Sequence, residues 1–205
     1  MENPVSSMED TLRAAEKRLS SILSKDCRGD IHFQMGGQLI QAVQRIDHEK
    51  FRPELQYSLE ELRQRSMKKG FVLFMLTCGS EATAFLYGYA DMRKRSKFFL
   101  DTVATLVEGK GIGSILITIA LMYCYHAGYK SVELNTENVD DKGRYLVKFY
   151  QDLGFHVARK DPEKGVVMNL NLESSKIKYL SEKYIGVEEI PKELESNKIR
   201  VCTKK

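Results

Sequence analysis

Apolar positions along the chain recur either every third or fourth residue or every second residue, and the two periods alternate often enough to predict a mixed α/β architecture. Leu12, Ala15, Leu19, Ile22 and Leu23 make a helical stripe behind Ser7-Met8-Glu9-Asp10, a capping box with Asp in place of the usual Glu or Gln. Asp30 to Gln34 reads as a first strand. Gly36-Gly37 then opens a helix that carries Leu39, Ile40, Val43 and Ile46. A polar loop, His48 to Tyr57, leads to a second cap, Ser58 with Glu61, and a helix that Gly70 ends. Phe71–Thr77 and Ala82–Met92 are apolar strands joined by a turn of hairpin length, with Gly88 marking a bulge.

Val103 to Val107 predicts a short buried strand, and Ile115, Leu116, Ile119, Ala120 and Tyr123 a buried helix after it. Ser131–Thr136 reads as a strand, Lys142–Leu153 as a helix, and His156–Arg159 with Gly165–Leu172 as a closing strand pair. Strand, helix, strand implies one parallel pair, while the hairpins imply antiparallel pairing. Ile177, Leu180 and Tyr184, then Pro191 to Leu194, suggest two short terminal helices. The division expected is an amphipathic extension over 1–29, one domain over 30–172 and a helical, basic extension over 173–205. The first helix packs on the core in this reading, with a homodimer contact left open.

Composition narrows the picture only a little. At 205 residues, 42% hydrophobic and 29% charged, the chain suits one packed core rather than two. A net charge of +4 does not call for nucleic acid and fits a small anionic ligand equally well. Cys27, Cys78, Cys124 and Cys202 form no CxxC pair, and the four histidines are unpatterned, so free thiols in a reducing, cytoplasmic setting and no metal site are expected. No apolar run is long enough to span a membrane. The basic run Arg93 to Lys97 reads first as a solvated hairpin tip, with an acidic acceptor or a ribose phosphate as alternatives.

The chemistry concentrates between the strand at Val103 and the helix at Ile115. Gly109, Gly111 and Gly113 remove three Cβ atoms where the backbone turns into a helix N-terminus, whose unpaired N–H groups and positive end suit a phosphate. Lys110 adds a cation and Ser114 a hydroxyl. The Walker pattern is absent, because no Gly-Lys-Ser/Thr follows, and GxGxxG fails because the glycines fall as GxGxG.

What fits is the Q/R-x-x-G-x-G/A pyrophosphate loop, read here from Glu108 through Gly109, Lys110, Gly111 and Ile112 to Gly113. Downstream, Phe149-Tyr150-Gln151-Asp152-Leu153-Gly154-Phe155 matches L/F-Y-x-x-x-G-F. With these two motifs in order, the chain resembles the GNAT superfamily of N-acetyltransferases from about Asp30 to Leu172. The resemblance implies a mixed, mostly antiparallel twisted sheet flanked by helices. It also implies acetyl-coenzyme A as co-substrate and direct transfer to a primary amine in a ternary complex. A catalytically weak acyl-coenzyme A-binding module is the alternative.

Residue by residue, the resemblance implies that Tyr150 is the general acid. The backbone of Val103, Ala104, Thr105 and Leu106 presents an N–H to the thioester carbonyl, and the loop from Glu108 to Ser114 holds the pyrophosphate. Two positions depart from the family pattern. Glu108 replaces Gln or Arg and would repel a pyrophosphate if it pointed inward. Gly143 replaces an Asn, for which Asn135 or Asn138 could compensate. Asp101, Glu133 and Glu137 are the candidate bases, and His126 reads as a satisfied packing histidine.

Overall fold

The computed structural model describes residues 8–162 and 165–187. Seven strands form one sheet in the order β1-β2-β3-β4-β5-β7-β6. They are β1 (Cys27–His32), β2 (Val72–Cys78), β3 (Glu81–Ala90), β4 (Lys97–Thr105), β5 (Ser131–Thr136), β6 (His156–Asp161) and β7 (Gly165–Asn171). Of the hydrogen-bonded neighbours only β4 and β5 are parallel, joined by the crossover through α4, and a second crossover through α5 carries the chain from β5 past β7 to β6. One parallel pair among six argues against a doubly wound nucleotide-binding sheet.

The α-helices among the described residues are α1 (Met8–Leu23), α2 (Gly37–Lys50), α3 (Leu59–Ser66), α4 (Ile112–His126), α5 (Leu146–Asp152) and α6 (Ser174–Tyr184). They divide between the two faces of the sheet. On one face α4 is buried almost all round, against Phe74, Leu86, Phe98, Leu100, Val132 and Leu134, with α1 and α6 packed on it. On the other, α2 and α3 cover Leu73, Met75, Phe85, Tyr87 and Ala104. The amphipathic α1 therefore belongs to the core: Met8, Ala15 and Leu19 are buried in the larger cluster. Glu16 accepts from the Gly29 amide at 3.0 Å and Ser20 Oγ from the Cys27 amide at 2.9 Å, fixing α1 along the edge strand.

Several boundaries differ from the sequence reading. The first strand is Cys27–His32 rather than 30–34, and β4 begins at Lys97, six residues before Val103. Helix α3 carries the expected capping box but ends at Ser66, before Gly70 turns the chain with φ +67°. Helix α5 starts at Leu146 rather than at 142: Gly143 is left-handed, and Asp140 Oδ1 accepts from the amides of Lys142 and Arg144 in a tight turn that precedes the helix. Ser7 and Pro191 to Leu194 lie outside the described residues.

The thiol expectation fails for two of the cysteines. Cys27 and Cys78 face each other across the β1–β2 ladder, Cα atoms 4.1 Å apart, and are joined in a disulfide. Sequence spacing could not show this, because 51 residues separate the pair. Cys124 is a buried free thiol, and Cys202 lies outside the described residues.

A bulge in β4 sets up the site. Tyr87 pairs with Thr102 but Gly88 pairs with Leu100, so Asp101 is the extra residue. Phe98 and Leu100 point to the α4 face, whereas Asp101, Thr102 and Ala104 point to the α2–α3 face. Gly88 is required opposite the bulge: a Cβ there would lie 2.4 Å from the Phe98 ring and 2.4 Å from the Phe99 carbonyl oxygen.

Candidate active site

Beyond the bulge, β4 and β5 separate. Their ladder runs from Lys97–Ser131 to Leu100–Leu134 and stops, leaving the edge of β4 from Asp101 to Thr105 without a strand partner toward β5. The resulting wedge opens at the loop 106–111, which leads into α4. Val103, Ala104 and Thr105 lie along the wedge, and the Thr105 hydroxyl donates to the Val107 carbonyl at 3.0 Å.

The loop's conformation depends on its glycines. Gly109 and Gly111 have φ +72° and +74°, and nothing stands within 4 Å of where their Cβ atoms would be. Gly111 is the N-cap of α4, with no side chain bonded to the cap. The first turn of α4 carries no acidic residue, so its amides present an uncontested positive end. Gly113 is different in kind: it has no left-handed φ, and a Cβ there would make ordinary contact with the Phe149 ring of α5 at 3.6 Å. Ser114 is buried, and its carbonyl accepts from Thr118 Oγ1 at 2.8 Å. Lys110 lines a hollow with Leu23, Lys25, Cys78, Thr83 and Val107.

Glu108 does not stand as a lone negative charge. Its carboxylate accepts from Lys142 Nζ at 2.7 Å, Lys50 Nζ at 3.0 Å and Arg144 Nη1 at 3.1 Å. The hydrogen bonds from Lys142 and Lys50, with the Arg144 charge nearby, pull its pKa down to about 2. The repulsion expected of an isolated Glu108 is thereby outweighed by three cations.

Tyr150 lies on α5, only 8% exposed, with ring centroids 5.1 Å from Phe149 and 5.8 Å from Phe155. Burial pushes its phenol up to about 12, so it stays protonated at neutral pH and can donate but not accept a proton. The packing and acid readings of this residue are compatible, because the ring is held by apolar contacts.

The three candidate bases share one trait: each is paired. Asp101 accepts from Arg65 Nε at 3.1 Å, with Arg65 stacked 3.7 Å over the Tyr57 ring. Glu133 accepts from Lys97 Nζ at 2.6 Å. Glu137 pairs with Arg52, across the mouth of the wedge. Asn138 lies in the segment after β5, where its carbonyl accepts the Leu146 amide at 3.1 Å. His126 is half-buried at the far end of α4 with Nε2 unpartnered, so it is not the satisfied histidine expected, and burial lowers its pKa.

Lys50, Arg52, Lys142 and Arg144 are site residues that no sequence motif marks. They converge on the wedge from the C-terminal end of α2 and the segment before α5, and no local pattern marks such long-range pairing. The basic run is an exposed tip between β3 and β4 from Arg93 to Ser96, with the Arg93 and Lys94 amides bonded to Asp91 Oδ1 at 2.7 and 2.9 Å, while Lys97 belongs to β4. The length of β4, on the order of 25 Å at strand rise, separates it from the glycine loop, so it contributes nothing to a phosphate held there. Among the described residues no group of His, Cys, Asp or Glu could hold a metal, and no helix is long and apolar enough to cross a membrane.

Comparison with known proteins agrees with this geometry. No curated protein matches the chain. Among solved structures, it is similar to the ribosomal-protein-S18-alanine N-acetyltransferase of Escherichia coli, with 15% identity, 71% of this chain and 94% of that one covered, and a TM-score of 0.57. It is similar to the PaiA N-acetyltransferase of Thermoplasma acidophilum in complex with coenzyme A, at 16% identity, 70% and 98% coverage and TM-score 0.57. Ard1 of Thermoplasma volcanium gives 18%, 71% and 99%, and 0.55. Identities this low establish a shared fold alone. The model of the acetyltransferase (GNAT) domain matches residues 35–170, which span the wedge, the glycine loop and Tyr150, and the chain belongs to the GNAT acetyltransferase family.

Proposed function

We propose that the protein is an N-acetyltransferase that moves an acetyl group from acetyl-coenzyme A to a primary amine, directly, within a ternary complex. The observation that carries this reading is the unpartnered edge of β4 opening onto the glycine loop, with a protonated tyrosine on the helix beyond. The residues fit the coenzyme: Gly109 and Gly111 leave their Cβ positions empty beside the amides of α4, where a pyrophosphate would approach.

Each residue has a part in the transfer. Main-chain groups of Val103, Ala104 and Thr105 in β4, unladdered toward β5, orient the pantetheine arm and offer an N–H to the thioester carbonyl, whereas the Leu106 amide already donates to the Thr83 carbonyl at 2.8 Å. The neutral amine attacks the carbonyl carbon, a C–N bond forms and the C–S bond breaks. Tyr150 Oη gives its proton to the departing sulfur. The amine's own proton leaves to solvent or to a carboxylate, of which Glu137, paired across the open mouth, is the most accessible of the three at 39% exposure.

The direct test is thiol release from acetyl-coenzyme A over a panel of amines. Tyr150→Phe is expected to lower turnover about 100-fold with coenzyme affinity unchanged; equal turnover in the variant removes the acid role. One observation favours a second reading: every candidate base is already in an ion pair, as in a binding module that has lost transfer. Purified protein that binds the coenzyme and acetylates no amine would establish that alternative.

A further inference from the structure

The cations around Glu108 come from separate parts of the chain. Lys50 ends α2, while Lys142 and Arg144 flank the left-handed Gly143 before α5. All three reach one carboxylate, on the residue immediately before the first glycine of the loop. Arg144 is held a second time, by Asp140 at 2.5 Å through Nε.

Cohesion alone does not account for this convergence. Lys142 and Arg144 are half-exposed, and an exposed ion pair contributes little once the entropy of ordering a long side chain is counted. Three like charges so close together repel one another unless an anion lies among them. Glu108 is that anion. A lysine offers three donors and an arginine five; Glu108 and Asp140 use one on each lysine and two on the arginine, so most remain for other acceptors. Three cations against two carboxylates leave the cluster net positive, beside a helix N-terminus whose polarity has the same sign.

We infer that Lys50, Lys142 and Arg144 form a phosphate subsite beside the glycine loop, preassembled by Glu108 as its internal counter-ion, and that it binds a phosphate of the coenzyme's nucleotide portion. The inference rests on the coenzyme reading above. Glu108 is a positioning residue: it holds the cations in place before a ligand arrives, and the ligand's phosphate oxygens engage their remaining donors.

Calorimetric titration of the full chain with coenzyme A and with 3′-dephospho-coenzyme A, across a salt series, tests it. The double variant Lys142→Ala/Arg144→Ala should lose at least about tenfold in coenzyme A affinity and show a shallower salt dependence, with an unchanged melting temperature. Lys142→Arg should retain wild-type affinity. Glu108→Gln should weaken binding several-fold, because the cations disperse. Loss confined to coenzyme A assigns the subsite to the ribose phosphate, and equal loss with the dephospho form assigns it to the pyrophosphate. Wild-type affinity in the double variant, or tighter binding by Glu108→Gln, overturns the subsite while leaving the coenzyme reading intact. A wild-type protein that binds neither form overturns both.

Discussion

The two halves of β4 belong to one strand yet are stabilised in opposite ways. From Lys97 to Leu100 the strand is laddered on both sides, Phe98 and Leu100 are buried under α4, and Lys97 and Glu133 pair with side chains only 15% and 13% exposed. From Asp101 onward the β5 ladder is gone, and what spans the gap is side chains: Arg52 to Glu137 and the Glu108 cluster. One end is sealed by backbone and packing, the other bridged by charges near water. The difference teaches where this fold can admit a ligand: ladder bonds would have to break at the sealed end, whereas at the open end only solvated ion pairs need rearrange.

The comparison is broken most sharply at Gly88. Gly88→Ala places a methyl 2.4 Å from both the Phe98 ring and the Phe99 carbonyl oxygen, and about 3 kcal/mol of stability should be lost in urea unfolding. A loss under about 1 kcal/mol would mean that the bulge tolerates repacking and the sealed end is softer than its geometry indicates.

Next come two matched ion pairs. Glu133→Gln strands a mostly buried lysine and should cost about 2 kcal/mol, while Arg52→Gln, in a pair 41% and 39% exposed, should cost under about 0.5 kcal/mol. Equal losses would erase the distinction drawn between the two ends.

The smallest effect is one of pH. The pKa of Glu108 is depressed in the folded protein, from 4.5 to about 2, so its contribution is fully present above the unfolded value and is lost as pH falls from about 4.5 toward 2. Acid unfolding of wild type and Glu108→Gln should therefore converge over that window. Curves that stay parallel would show that the cluster is not assembled in solution.

Much of the fold was legible because it rests on local patterns. β5 falls on the residues that alternation selects, and the Ser58–Glu61 box opens α3 as its spacing requires. β4 was half missed for a physical reason. Lys97 looks like the end of a solvated basic tip until Glu133 neutralises it from the next strand, and the extra residue at Asp101 breaks the two-residue period on which strand reading depends. The glycine loop and Tyr150 could be located from motif spacing. The ion pairs around the site could not: Lys50 to Glu108, Arg52 to Glu137 and Arg65 to Asp101 span 58, 85 and 36 residues, distances over which a sequence holds no periodic signal.

The Cys27–Cys78 bond turns part of this chain into a covalent ring. The 51-residue separation encloses α2, α3 and nearly all of β1 and β2, and so carries Lys50, Arg52 and Arg65, while β4, the glycine loop and Tyr150 hang outside it. The α2–α3 layer over the sheet thus belongs to a closed loop whose unfolded ensemble is restricted by its own closure, whereas both strands that bound the wedge, β4 and β5, belong to the open chain. A single cut by a protease in the loop after α2 would leave the two fragments linked. A reductant would open the loop that bears Arg52 and Arg65 and leave the chain that bears the phosphate loop covalently unchanged.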